Sequence, residues 1–326
     1  MKPHLLLIRF SALGDVLMTV PVIDALARQY PDVRITVVSA PFVGSIMDLL
    51  PANVSFLGIR PRNHSLWEIY QQIAKLKPTH VCDLHDVLRT KFLRVCFWMK
   101  GLPVTHIHKN RNARRAFIQA REKVQQPTSF EKYADALARL GFPVAIDWRK
   151  PFALVEGSKT PHERPRIGLA PYAAHRGKVY PTERMERVVG MLSERGVDVF
   201  VFGAGEKEKQ QAEEWAAKYK GVESMVGKLP DMAAELRFMT SLDAMLSMDS
   251  GNMHLASLAG VRVVSIWGAT HPLGGFLGWG QREEDAIQLP LPCRPCSTYG
   301  NRPCKFGDWR CLTGIKEKDV VARLLQ

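Results

Sequence analysis

The chain has 326 residues, 46% of them hydrophobic, and a formal charge of +13 from 45 Lys and Arg against 32 Asp and Glu. That length exceeds one ordinary hydrophobic core, so two domains of similar size are expected from an otherwise ordinary folded composition. Only four apolar residues, Leu5 to Ile8, separate His4 from Arg9, too few for a signal h-region or a membrane span, which points to the cytosol.

The charge is one-sided: residues 1–150 hold 22 Lys and Arg against 11 Asp and Glu, while the remainder is nearly balanced. A field of that kind attracts a polyanion, whether nucleic acid, an anionic membrane surface or a phosphorylated substrate.

In chain order, His4–Ile8, Arg34–Val38 and His80–Asp83 read as strands, with helices over Asp15–Tyr30, Trp67–Lys77 and Val87–Met99. The alternation resumes with strands at Arg166–Ala170, Val197–Phe202, Asp243–Ser247 and Arg262–Trp267. Helices are expected at Pro181–Arg195, Glu206–Tyr219 and Gly251–Ala259. Strands alternating with long helices imply parallel sheets covered on both faces, here as two Rossmann-like domains, 1–160 and 161–326, facing each other across a cleft. The polar stretch 156–165, with Pro161 and Pro165, is the expected boundary.

In such folds the loops after the strands hold the chemistry. The first runs Arg9-Phe10-Ser11-Ala12-Leu13-Gly14-Asp15; Asp15 at a helix start is either an N-cap or a general base aimed into the cleft. No Gly-x-Gly-x-x-Gly fingerprint and no Gly-Lys-Ser/Thr phosphate loop is present, which argues against a Rossmann dehydrogenase or epimerase. In the second half, Lys178 precedes a helix and is placed to neutralise a leaving diphosphate. Glu206 stands at a strand-to-helix turn suited to ribose hydroxyls. In Asp249-Ser250-Gly251-Asn252-Met253-His254, the amides of Ser250 and Gly251 suit phosphate oxygens and Asp249 suits sugar hydroxyls, with His254 one turn on.

Taken together, these segments resemble the ADP-heptose:lipopolysaccharide heptosyltransferases, inverting glycosyltransferases of the GT-B fold. The resemblance rests on Ser11 through Pro21, on Asp83-Leu84 with Arg89-Thr90, and on Lys178-Val179-Tyr180-Pro181, where Tyr180 replaces the family's usual Trp. Further matches are Asp249 through Leu255 and the tail from Val263 through Pro272. The family's pattern implies Asp15 as catalytic base and Lys178 as the counter-charge for the leaving diphosphate, with no metal needed for catalysis. It also implies a donor site of Ala173, Ala174, Lys178, Glu206, Asp249, Ser250, Gly251 and His254. Ala173 and Ala174 depart from the hydroxyl residues common there. The partners implied are a nucleotide sugar, ADP-heptose first, and a phosphorylated lipopolysaccharide-core acceptor. Another nucleotide sugar, or a non-catalytic polyanion- or nucleotide-binding role, is the competing reading.

Ser11 and Gly14 are expected near the acceptor. The basic run His106 to Arg115, including Arg114 and Arg115 and continuing to Arg121 and Lys123, joins Arg60, Arg62, Arg89 and Lys91 as an expected docking face for a phosphorylated lipid at the inner membrane's cytoplasmic leaflet. Nucleic acid is disfavoured, because Phe117 is the run's lone aromatic and no nucleic-acid-binding motif is visible. Finally, Cys293, Cys296, Cys304 and Cys311 form a Cys-x2-Cys-x7-Cys-x6-Cys set that in a cytosolic protein favours structural zinc over disulfides, while Cys82 and Cys96 read as core residues.

Overall fold

The computed structural model describes residues 2–149 and 162–326, so most of the expected boundary, at 156–161, lies outside the described residues. Residues up to 149 form β1 (His4–Ile8), α1 (Leu13–Leu17), α2 (Val20–Gln29), β2 (Arg34–Ser39), α3 (Gly44–Met47), β3 (Val54–Gly58), α4 (Leu66–Ala74), β4 (His80–Asp83), α5 (Leu88–Met99), β5 (Val104–His106), α6 (Arg111–Gln119) and α7 (Ser129–Ala138). Beyond 162 come β6 (Arg166–Ala170), α8 (Thr182–Glu194), β7 (Asp198–Val201), α9 (Glu206–Lys218), β8 (Val222–Ser224), α10 (Met232–Met239), β9 (Ala244–Met248), α11 (Gly251–Leu258), β10 (Arg262–Ile266), β11 (Ala286–Ile287), α12 (Arg310–Thr313) and α13 (Glu317–Leu324).

The chain divides into two compact units, the first made of residues 2–110, 127–149 and 231–233 and the second of the remaining described residues. Sequence order alone puts residues 111–126 with the first half, yet the chain sends this segment, with α6, into the second unit.

The first unit is a five-stranded parallel sheet in the order β3-β2-β1-β4-β5. Strand β1 is buried from end to end, as expected for a central strand covered on both faces. Burying each of Leu5, Leu6, Leu7 and Ile8 contributes roughly 1.5–3 kcal/mol. The single helix expected over 15–30 is two helices, α1 and α2. Thr19 Oγ1 donates to the Val16 carbonyl at 2.6 Å, and Pro21 has no N–H to continue the ladder.

The second unit is a six-stranded parallel sheet in the order β11-β10-β9-β6-β7-β8. Its core gathers Leu169, Val188, Leu192, Trp215, Leu246 and Ile266, with Val320 and Val321 of α13 closing one side. In each sheet the strand order reverses between the unit's first strand and a later neighbour: β1 beside β4, and β6 beside β9. Such a reversal opens a crevice at the strands' carboxyl ends, where open α/β sheets bind ligands.

Candidate functional site

Both candidate centres lie at those crevices. In the first unit, Asp15 is the third residue of α1, whose N-cap is Ala12 and carries no side-chain cap. Its carboxylate is therefore spared from capping and turns instead to Arg9, with Oδ2 at 2.8 Å from the guanidinium. The Arg9 side chain is 8% exposed and that of Asp15 31%, so the cation is the buried partner. Arg9 also donates to the Leu84 carbonyl after β4, and its guanidinium lies 5.6 Å from the Tyr133 ring centroid. Tyr133 in turn donates its hydroxyl to the Asp15 carbonyl at 3.1 Å, tying α7 to α1.

His85, in the loop after β4, completes this centre. Its Nδ1 faces the Phe10 amide at 3.4 Å and its Nε2 the Ser11 hydroxyl at 3.4 Å. Burial, then the charges of Arg9 and Lys109, push the imidazole down to about 4, so it is neutral at pH 7. The buried Asp83 shapes the loop by accepting the amides of His85 and Asp86, both at 2.9 Å, with Arg94 at 3.6 Å. Ser11 is exposed and Gly14 half-buried; Arg60, Arg62 and Lys91 are exposed and Arg89 half-buried. Arg9, His85 and Tyr133 were passed over in the sequence because their partners lie about 75 to 118 positions from the first loop.

In the second unit, a short 3-10 turn over Arg176–Lys178 presents Lys178 at the end of the β6 loop. Its Nζ lies 2.9 Å from Asp249 Oδ2, just after β9, and the same oxygen accepts the Thr270 hydroxyl at 2.8 Å. Here the exposures are reversed: Asp249 is 6% exposed and Lys178 17%. Ser250 is the N-cap of α11 without a side-chain cap hydrogen bond, its hydroxyl instead 3.3 Å from that of Ser247. His254 is buried one turn into α11. Glu206 opens α9 at the end of the adjacent strand β7 and is exposed. Two residues on, Glu208 folds back to accept the Ala204 amide at 2.7 Å, a loop-shaping carboxylate that sequence reasoning missed. Ala173 packs against the core and Ala174 is exposed. Tyr180 is a fully buried core residue, donating to the Ile315 carbonyl at 2.9 Å. Burial, then Glu317, pushes its phenol up to about 12.

The residues matched by a family model extend over 107–306, more than half of the chain, and that family is described as glycosyltransferase family 9 (heptosyltransferase). The chain belongs to glycosyltransferase family 9. This family 9 enzyme is 25% identical over 317 residues to lipopolysaccharide heptosyltransferase 1 of Pseudomonas aeruginosa, covering 90% of this chain and 86% of the relative. Among solved structures it resembles the E. coli ADP-heptose lps heptosyltransferase II, with TM-score 0.70 and 18% identity over 98% of this chain and 97% of that one. It also resembles the E. coli heptosyltransferase WaaC with ADP, with TM-score 0.61 and 14% identity over 87% and 92% of the two chains. These likenesses show the fold of the family 9 chain, a GT-B fold with two parallel sheets, one in each Rossmann-like unit.

Two other expected features take their places in the second unit. The basic run is split: residues 106–110 stay in the first unit while α6 belongs to the second. There Arg114 donates to the Tyr299 hydroxyl at 2.7 Å and stacks 5.5 Å from the Phe276 ring centroid, while Arg115 is exposed. The cysteine-rich loop is fastened to the segment after β10: the amides of Cys296 and Ser297 both bond the Ala269 carbonyl, at 3.1 and 3.2 Å. Gly177 makes this approach possible, since a Cβ there would sit 2.6 Å from the Gly300 carbonyl oxygen. None of the four loop cysteines is in a disulfide. Burial, and then mainly neighbouring thiols, pushes Cys296 upward. Cys304, against its own desolvation, is drawn down by the amides of Phe306, Trp309 and Gly307. Among the described residues no three His, Cys, Asp or Glu side chains stand in a metal-coordinating arrangement. Cys82 is buried and Cys96 half-buried, both in keeping with core packing.

Proposed function

We propose that this chain moves heptose from ADP-heptose to a hydroxyl of a phosphorylated lipopolysaccharide core, inverting the anomeric centre. Asp15 takes the acceptor proton, the freed oxygen bonds to the anomeric carbon, and the bond to the ADP oxygen breaks as the diphosphate leaves. Lys178, the Ser250 and Gly251 amides and the α11 dipole stabilise the charge gathering on that leaving group. Glu206 holds the ribose, Asp249 the heptose, and His254 the phosphate region, with Ala173 and Ala174 lining the donor. Ser11, Gly14, Arg60, Arg62, Arg89, Lys91, Arg114 and Arg115 serve the acceptor.

The observation that carries this reading is the Lys178–Asp249 pair at the crevice between β6 and β9, beside the uncapped start of α11. A cation and a row of amides converge there as a diphosphate requires. A thermal-shift panel tests it: ADP raises the midpoint well above UDP or GDP. Equal shifts would remove the adenine preference.

The acceptor's lipid places the enzyme on the cytoplasmic face of the inner membrane. No helix among the described residues is long and apolar enough to cross a membrane. Peripheral attachment is supported by α5, which exposes Leu88, Val95, Trp98 and Met99 together with Lys91, at the spacing of one helix face. Flotation with anionic vesicles that is lost at high salt supports this, and binding to neutral vesicles alone opposes it. For the cysteine loop, zinc would have to draw together Cys293, Cys296, Cys304 and Cys311, which form no metal-holding group among the described residues, and would then lock the segment that packs on Gly177, with no part in the reaction. The amides aimed at Cys304 suit a thiolate ligand. Metal analysis giving about one zinc per chain supports it; a value near zero removes it.

A further inference from the structure

A cavity lies within the second unit between the end of α6 and residues 288–294, and neither Lys178 nor Asp249 is among its lining residues. Its volume is about 680 Å3, the size of a site for one or two sugar units. Arg121, Lys123 and Arg294 line it, and among the described residues no carboxylate does.

Two of the three cations, Lys123 and Arg294, are fixed without being neutralised, and Arg121 is exposed. Lys123 caps α6 by donating to the carbonyls of Phe117 at 2.8 Å and Ile118 at 3.2 Å, and to that of Ala120. Arg294 is 6% exposed and donates to the carbonyls of Thr270 at 2.9 Å, Leu289 at 2.6 Å and Gly268. Neutral carbonyls satisfy donors but leave net positive charge, which in a half-enclosed space favours an anion. Two further groups face the same space. His271 Nδ1 accepts the Leu273 amide at 3.2 Å, which leaves Nε2 as the donor of the neutral ring. The buried carboxamide oxygen of Gln288 has no hydrogen-bond partner, a deficit that a ligand hydroxyl would fill. Leucines and prolines of 289–292 supply an apolar wall of the kind that packs a sugar's C–H face.

We propose that this cavity binds an anionic sugar unit, one bearing a phosphate or carboxylate together with free hydroxyls, as part of the acceptor rather than the donor. The idea rests on the glycosyltransferase reading but uses none of the donor-site residues. Arg121, exposed at the rim, meets the anion; Gln288 accepts from a hydroxyl; Arg294 and Lys123 provide the fixed field.

Calorimetric titration of the full chain with glucose 6-phosphate, glucuronate, glucose and orthophosphate tests it, with ADP titrated in parallel on the same preparation. One of the two anionic sugars is expected to bind at least tenfold more tightly than glucose and than orthophosphate, and which one does so identifies the charged group. Arg121→Gln is expected to weaken that binding about tenfold, as is Gln288→Leu, with ADP binding and the melting midpoint unchanged in both. Glucose or orthophosphate binding as well as the anionic sugars would overturn the proposal. So would binding that ADP displaces, or binding that survives both substitutions. Failure of the sugar titrations with ADP still bound would sink the cavity and leave the donor reading standing; failure of ADP would do the opposite.

Discussion

The two crevices use the same device with opposite polarity. Each pairs one carboxylate with one cation, at 2.8 Å for Arg9 and Asp15 and 2.9 Å for Lys178 and Asp249. In the first unit the arginine is buried and the carboxylate reaches solvent; in the second the carboxylate is buried and the lysine is the more exposed. The buried member fixes its partner's position, and the more exposed member presents its charge. A base that must accept a proton from a hydroxyl has to present its carboxylate, and a counter-charge for a diphosphate has to present its cation. The polarity of each pair thus matches the task assigned to that unit, although the bond lengths alone are indistinguishable.

The comparison breaks first at Asp15. Asp15→Asn keeps an oxygen against Arg9, so it removes the base with little loss of packing, and transfer is expected to fall by roughly 10^2–10^4-fold. ADP affinity should stay within about twofold, because no donor group is touched; an equal loss of both would make Asp15 a structural residue. Next is Lys178→Ala, expected to slow transfer by about 10^2–10^3-fold and to weaken ADP binding as well. It also leaves Asp249 buried with Thr270 as its remaining neutral partner, so the melting midpoint should drop. Unchanged ADP binding would mean that Lys178 only neutralises Asp249.

A smaller effect sharpens the first crevice. His85 and His271 are both held at about 4, burial being the first cause, whereas an unfolded imidazole titrates near 6.5. Between these values the unfolded chain binds more protons. Their contribution to stability is therefore complete above about pH 6.5 and is lost progressively as the pH falls toward 4. Urea midpoints for the native chain should fall between pH 7 and pH 5, and His85→Gln should lessen that fall. An identical slope in the variant would show that His85 is not held neutral by its surroundings.

Much of this was legible in the residues. The buried run Leu5–Ile8, the Asp15 loop and the Asp249-Ser250-Gly251 turn announce themselves because each is local: a short apolar strand followed at once by its loop. What stayed hidden depends on partners far away in sequence. Arg9 reads as an ordinary loop cation until Leu84 and Tyr133 arrive around it. The segment of α6 reads in the sequence only as part of a basic run in the first half, since its charges do not show which core receives Phe117; that ring meets His271 at 5.9 Å in the second unit. The edge strands β3, β5 and β8 were missed because none is a continuous buried apolar run: burial is mixed along β3, partial along β5 and interrupted at Glu223 in β8.

The most direct test of the whole account is a transfer assay with the native chain, ADP-heptose and a heptose-free lipopolysaccharide core, following ADP release and the mass of the acceptor. The account predicts that the acceptor gains one heptose per ADP released, and that ADP release stops when the acceptor is left out. Transfer from a different nucleotide sugar, or no transfer from ADP-heptose to any phosphorylated core acceptor, would contradict it.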